Sequence, residues 1–303
     1  MLLGSNKYKL TLFVFLLASI YWNFSCLCYC KGLSQKDVNY QCVTFKSGPF
    51  NLVGHVLTPV KYPSHNAIII SHGSNILGSD LILYKEMAGR FAKKGYIVLT
   101  FDYRGYNKSP DPKDIKCAND LNFTTDLINA VSFIKSYSNS LDLVILVGHS
   151  FGGGVVVSAG IKDSRVDKIV SISPGRRAEE LFFGPNASLG PKWIQKRVTK
   201  DMQLKVPIPL ELIGEINKPI IVEYYKEHLF KKPILFIDGE FEPSKDREFL
   251  KNYVKSIKAL KKDYITISDA DHYFGTRGLT KIIDSSIIQQ LVDEIDAWIR
   301  TDP

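Results

Sequence analysis

Gly148-His149-Ser150-Phe151-Gly152 lies inside the stretch LVILVGHSFGGGVVV, where an apolar run breaks into small residues and then resumes. The spacing is G-x-S-x-G between a strand pattern and a helix pattern. At such a junction a serine sits on a sharp bend with its hydroxyl above a sheet. The positions two before and two after it pack too closely for side chains, hence Gly148 and Gly152. Gly153 and Gly154 are expected to let the following helix approach the sheet. A phosphate-binding loop is excluded, because no lysine follows the glycines. A serine hydroxyl is a poor nucleophile until a base takes its proton. The base and its orienting acid must come from elsewhere in the chain.

The chain has six histidines. His149 adjoins the serine and points elsewhere on the turn. His55 falls in an early strand pattern, His65 in a loop, and His228 in VEYYKEHLF, which reads as a helix. His72 follows the apolar strand AIII, where a different task is expected. His272, in SDADHYFG, lies just past the last strand and late in the chain, where a base is needed. An imidazole needs a carboxylate to fix its tautomer and stabilise its cation. Strand PILFI runs into Asp238-Gly239-Glu240-Phe241-Glu242-Pro243, three carboxylates in five residues.

The elements that position these groups alternate along the chain. YQCVTFKSGPFNLVGHVLTP reads as two strands joined at Ser47-Gly48-Pro49. NAIIIS, YIVLTFDYRG, LVILVG, VDKIVSIS, KPILFIDGE and DYITIS are short strands, mostly continuous in apolar residues. Between them run amphipathic segments. Tyr84, Met87, Ala88 and Phe91 share one helical face. Leu127, Ile128, Val131 and Ile134 share another, and Ile288, Leu291, Val292, Ile295, Trp298 and Ile299 a third. Apolar strands separated by such helices imply an α/β fold with a mainly parallel sheet covered on both faces. Chemistry then collects at the carboxyl ends of the strands. After the sixth strand comes an insertion at about 174–231, rich in large apolar residues and read as a cap. Arg176 and Arg177 open it and read as a solvated pair, with a carboxylate-bearing substrate as the alternative.

From about Asn39 to Ile299 the chain resembles the α/β-hydrolase superfamily, as a serine esterase or lipase-like member. The elbow Gly148 to Gly152 resembles the family's nucleophile, and His272 before an aromatic residue its histidine. Gly239 to Glu242 is similar to the family's G-x-x-D/E acid, with glutamate for the commoner aspartate. SHGSN, Ser71 to Asn75, resembles the His-Gly oxyanion turn, which implies the backbone N–H groups of Ser74 and Phe151 as donors. FDYRGYNKS resembles the aspartate-x-arginine-glycine loop and departs from it at Asn107, where glycine is usual. Among the three acids, Asp238 is the last strand residue and too early to reach His272. Glu240 lies within the turn. Glu242 has the reach, and Pro243 after it keeps its backbone extended. The expected activity is two-step acyl transfer from a small-molecule or lipid ester to water, through Ser150, His272 and Glu242. No metal or organic cofactor is required. The alternatives are a peptidase or acyltransferase, and a non-catalytic binder on the same fold. Ser150 argues against the members that use aspartate or cysteine nucleophiles.

Residues 1–30 have another character. Lys7 and Lys9 precede the apolar run Leu10 to Ile20, and small and polar residues follow. This reads as an export signal, or, left uncleaved, as a membrane anchor. The expected location is secreted, periplasmic or anchored outside the cytoplasm, with the hydrolase domain at 38–303. Cys42 and Cys117 would then be the cysteines kept; one disulfide between them is expected, with two unpaired buried thiols as the alternative. The formal charge of +8 is spread along the chain. That is a solvated surface and not a nucleic-acid site.

Overall fold

The computed structural model describes residues 37–61, 65–176, 204–205, 207–277 and 280–301. The expected signal or anchor segment at 1–30 lies outside them, as does the part of the insertion at 177–203. Among the described residues, eight strands form one sheet in the spatial order β1-β2-β4-β3-β5-β6-β7-β8. They are β1 (Val38–Ser47), β2 (Phe50–Pro59), β3 (Asn66–Ser71), β4 (Ile97–Phe101), β5 (Leu143–His149), β6 (Lys168–Ile172), β7 (Ile234–Gly239) and β8 (Lys262–Ile267). β2 runs antiparallel to both β1 and β4, and the remaining pairs are parallel. The β1–β2 hairpin closes in two residues. Gly48 takes φ 57° at the first turn position, and the fixed negative φ of Pro49 suits the second.

Among the described residues, five long helices cover the sheet: α1 (Ile82–Lys93), α2 (Phe123–Tyr137), α3 (Phe151–Lys162), α4 (Ser244–Ser256) and α5 (Ser285–Arg300). Alternation along β3 shows why the strands are apolar throughout. Ile69 packs with residues of α2 and α3, while Ile68 and Ile70 pack with residues of α1 and α5. Both faces are therefore buried, as a parallel sheet between helices requires. Truncating Leu146 or Val147 at the centre would leave a cavity and cost about 2–5 kcal/mol for the leucine.

The described part of the insertion packs on α3. Ile208, Ile213, Ile216 and Val222 are buried in the same cluster as Phe151 and Val155. A Cβ on Gly154 would lie 1.9 Å from the Ile220 carbonyl oxygen. Gly154 is therefore small because of the insertion's backbone, whereas Gly153, 3.0 Å from the Ile172 oxygen by the same measure, faces the sheet. VEYYKEHLF is not a helix. A single 3-10 turn spans Val222–Tyr225, and Leu229–Phe230 pairs with Lys258–Ala259. Five of its nine residues are apolar or aromatic, but its end is drawn into a two-stranded ribbon instead.

The expected disulfide is not present. Cys42 and Cys117 are both reduced thiols. Cys42 lies opposite His55 in the edge hairpin, with its Sγ 3.8 Å from the Tyr40 hydroxyl. Cys117 is exposed at the start of a 3-10 turn, Ala118–Leu121, in the connection from β4 to α2. Being the two cysteines left after export says nothing about proximity, and one lies in β1 while the other lies in the β4–α2 connection. No described helix is long and apolar enough to cross a membrane.

Candidate active site

The parallel register brings the loops together. Ser71 pairs with Gly148, so the turn after β3 lies beside the turn after β5. β7 and β8 end level, Gly239 against Ile267, so their loops meet on the same edge. The candidate site occupies this carboxyl edge.

Ser150 follows β5 directly and has φ 55°, ψ −118°. This is a strained conformation for a residue with a Cβ, and it costs on the order of 1–3 kcal/mol. The surrounding packing enforces it. A Cβ on Gly148 would come within 2.2 Å of the Gly152 carbonyl oxygen, and one on Gly152 within 2.3 Å of that of Ser71. The Ser150 N–H donates to the Ile172 carbonyl at 2.8 Å, which pins the bend to β6. His272 Nε2 is 3.1 Å from Ser150 Oγ, and its Nδ1 is 2.7 Å from Glu242 Oε1. Serine, histidine and glutamate thus form one hydrogen-bonded line. Burial by itself would raise the Glu242 carboxyl. The hydrogen bond and charge of His272, the Ser173 hydroxyl and the Arg176 guanidinium together hold it down at about 2. Glu242 is therefore ionised at neutral pH.

The other two carboxylates face away. Asp238 is fully buried, and its oxygens accept from Tyr264 Oη at 2.8 Å and Thr266 Oγ1 at 3.0 Å. Burial raises its carboxyl, partly offset by those two donors. Glu240 accepts from the Asp269 N–H at 3.0 Å and closes the loop after β8. The histidines sort as clearly. His72 is fully buried, donates from Nδ1 to the Gly73 carbonyl at 2.7 Å, and accepts at Nε2 from the Tyr103 N–H. Burial, against that carbonyl contact, drives it down to about 4, so it is neutral and structural. His65 contacts the Ser140 carbonyl, and His55 in β2 packs on Tyr40 with its Nε2 3.8 Å from Asp80.

The turn expected to hold an oxyanion abuts the serine. A Cβ on Gly73 would lie 3.2 Å from Ser150 Cβ. Ser74 is exposed, its hydroxyl 3.1 Å from Tyr106 Oη, and Phe151 opens α3 with its ring buried. The aspartate-x-arginine-glycine loop braces this turn from behind. Asp102 accepts from Ser79 and Asn107, and Arg104 forms a buried pair with Asp126. Asn107 has φ 44°, a conformation that asparagine tolerates better than most residues.

Arg176 departs from the expectation of a solvated arginine. It is 7% exposed, with Nη2 3.7 Å from Glu242 Oε2 and Nη1 3.5 Å from Asp246. The pairing of Gly175 with Ile221 ties the start of the insertion down and carries Arg176 under the acid. Arg177 lies outside the described residues. Sequence reasoning missed Arg176 as a neighbour of Glu242, since 66 positions separate them and no local pattern connects them.

A 1-2-4-3-5-6-7-8 sheet with a strained serine after β5, an acid after β7 and a histidine after β8 defines an α/β-hydrolase fold. Comparison with known proteins places the chain within it. Residues 62–277 match the Hydrolase_4 family, described as serine aminopeptidase, S33, and the chain belongs to that family. The chain is 28% identical over 138 residues to the quorum-quenching protein AidA of Acinetobacter baumannii, covering 44% of this chain and 43% of that protein. It is 26% identical over 185 residues to a monoacylglycerol lipase of Mycolicibacterium smegmatis, covering 59% and 60%. The chain thus spans less than two thirds of the length of these curated relatives. Among solved structures, an esterase of Pyrococcus furiosus superposes with a TM-score of 0.62 at 19% identity, covering 89% of this chain and 94% of that one.

Proposed function

We propose that the protein is a serine hydrolase that cleaves carboxylic esters or thioesters through an acyl-enzyme. Ser150 is the nucleophile, His272 the general base and then acid, and Glu242 the residue that holds the His272 tautomer. The backbone N–H groups of Ser74 and Phe151 stabilise the oxyanion. Two such donors contribute on the order of 3–4 kcal/mol to the transition state. The single observation that carries this reading is the line Glu242 Oε1, His272 Nδ1, His272 Nε2, Ser150 Oγ, with contacts of 2.7 and 3.1 Å. Family membership and the likeness to esterase and lipase relatives support it. The substrate is a small-molecule or lipid ester, and the insertion at 174–231 caps its pocket.

A fluorophosphonate should label Ser150, and a chain-length series of nitrophenyl esters should be turned over. The family's description as an aminopeptidase favours one second reading, amide cleavage by the same residues. Amide substrates run beside the esters decide between the two. An absence of labelling at Ser150 would remove the serine mechanism altogether. For location, the basic residues and apolar run of residues 1–30 support export or anchoring outside the cytoplasm. N-terminal sequencing of the protein recovered from cells tests this: cleavage near residue 30 supports a signal, and an intact Met1 in the membrane fraction an anchor.

A further inference from the structure

Tyr84 and His149 lie beneath the site and hold none of the roles assigned above. Tyr84 comes from α1 and His149 is the last residue of β5, and both are buried. The Gly73 N–H donates to the Tyr84 hydroxyl oxygen at 2.6 Å. That hydroxyl lies 3.0 Å from His149 Nδ1, and His149 Nε2 lies 2.8 Å from the backbone carbonyl oxygen of His272. A backbone N–H only donates and a backbone carbonyl only accepts. Those fixed ends decide every proton between them. His149 must donate from Nε2 to His272, so its Nδ1 accepts, and the Tyr84 O–H supplies the donor. Burial, reinforced by the neighbouring His272 charge, drives the His149 ring down to about 3. It is neutral, as this arrangement requires.

Both ends of the chain of bonds touch groups of the proposed mechanism. The Gly73 carbonyl accepts from His72 Nδ1 at 2.7 Å and from Asn75 Nδ2 at 2.9 Å. A trans peptide is planar, so fixing that carbonyl fixes the Ser74 N–H on the opposite side. Tyr84 holds the same glycine by its own N–H. At the other end His149 holds the main chain of His272, with the two imidazole centroids 4.9 Å apart and Phe274 edge-on to His149.

We propose that Tyr84 and His149 are positioning residues that set the oxyanion turn and the His272 loop in register with each other across β5. This rests on the triad reading given above. Neither side chain touches the reacting atoms. Each acts through backbone, on Gly73 in one direction and on His272 in the other.

The test combines active-site titration, steady-state kinetics and ring ¹⁵N NMR on the full chain. Tyr84→Phe and His149→Leu should keep KM near wild type and lower kcat per titrated site by about 10–100-fold, the scale of a small misplacement of reacting groups. His149→Gln keeps a donor where Nε2 lies and should recover most of that loss. The double variant Tyr84→Phe/His149→Leu should be no slower than the slower single one, because the two act as a unit. The His149 ring should carry its proton on Nε2 at neutral pH. A merely structural role would reduce the fraction of titratable enzyme and leave kcat per site alone, and that result overturns the proposal. So does His149→Gln matching His149→Leu, or an Nδ1-protonated ring. If wild-type protein is not labelled at Ser150, the triad reading itself has failed. If it is labelled and the variants keep wild-type kcat, only the positioning role has.

Discussion

The ends of β5 and β7 both deliver a group to the site, and they are built in opposite ways. After β5 the chain has one conformation available. Gly148 and Gly152 admit no Cβ, Ser150 is forced to φ 55°, and its N–H is fixed to β6. After β7 the chain offers three carboxylates in five residues, and neighbouring elements divide them. Tyr264 and Thr266 of β8 take Asp238, the Asp269 N–H takes Glu240, and His272 with Arg176 takes Glu242. The first end is marked by glycines adjacent in sequence and held by β3 and β6 beside it. The second is specified by partners 26 or more positions away, or from the insertion. A local pattern marks the proposed nucleophile. The proposed acid, Glu242, is distinguished only by what surrounds it.

The comparison breaks first at Ser150. Ser150→Ala should leave the fold intact and lower ester turnover by about 10⁴–10⁶-fold, as loss of a nucleophile does in other triads. Nitrophenyl ester kinetics with a matched circular dichroism melt measure it, and turnover close to wild type would refute the assignment. Glu242→Gln comes next. It keeps the shape and removes control of the His272 tautomer, for a loss of about 10³–10⁴-fold in kcat. Asp238→Asn is its counterpart and should act on stability. Turnover should stay near wild type, while replacing a buried acceptor of two hydroxyl donors lowers stability by about 1–3 kcal/mol. A folded Asp238→Asn protein with crippled turnover, beside a near-normal Glu242→Gln, would reverse the two roles.

The smallest effect sharpens the role of Arg176. The Glu242 carboxyl is depressed to about 2 in the folded protein, in part by Arg176. A depressed carboxylate stabilises the fold above its unfolded pKa, and that contribution fades as pH falls towards the folded value. Arg176→Met removes one of the depressing charges and raises the Glu242 pKa. Less stability is then contributed at neutral pH, and acid unfolding begins at a higher pH. Thermal melts from pH 7 down to pH 2.5 would show it, and a superimposable pH profile would mean that Arg176 does not act on Glu242.

The sequence by itself determined the elements, the layering and the elbow, because those depend on near neighbours. Period-2 and period-3.6 patterns locate strands and helices. Continuous apolar strands such as Ala67 to Ile70 require burial on both faces. The glycines flanking Ser150 are recognisable within five residues, although Gly152 is confined by Ser71 of β3. Sequence reach also separated Asp238 from Glu242, since alternation along one strand is a local property. It failed where distance in space was at issue. Compartment and count favoured joining Cys42 and Cys117, and the fold leaves both reduced, one in β1 and one in the β4–α2 connection. Arg176 read as solvated until the Gly175 bridge to Ile221 folded it under the acid. Tyr84 read as one more core residue of α1, since nothing in a helical stripe shows which phenol will meet a glycine N–H and a histidine. Hydrogen-bond partners and buried charges depend on long-range packing, and the tertiary structure alone decides them.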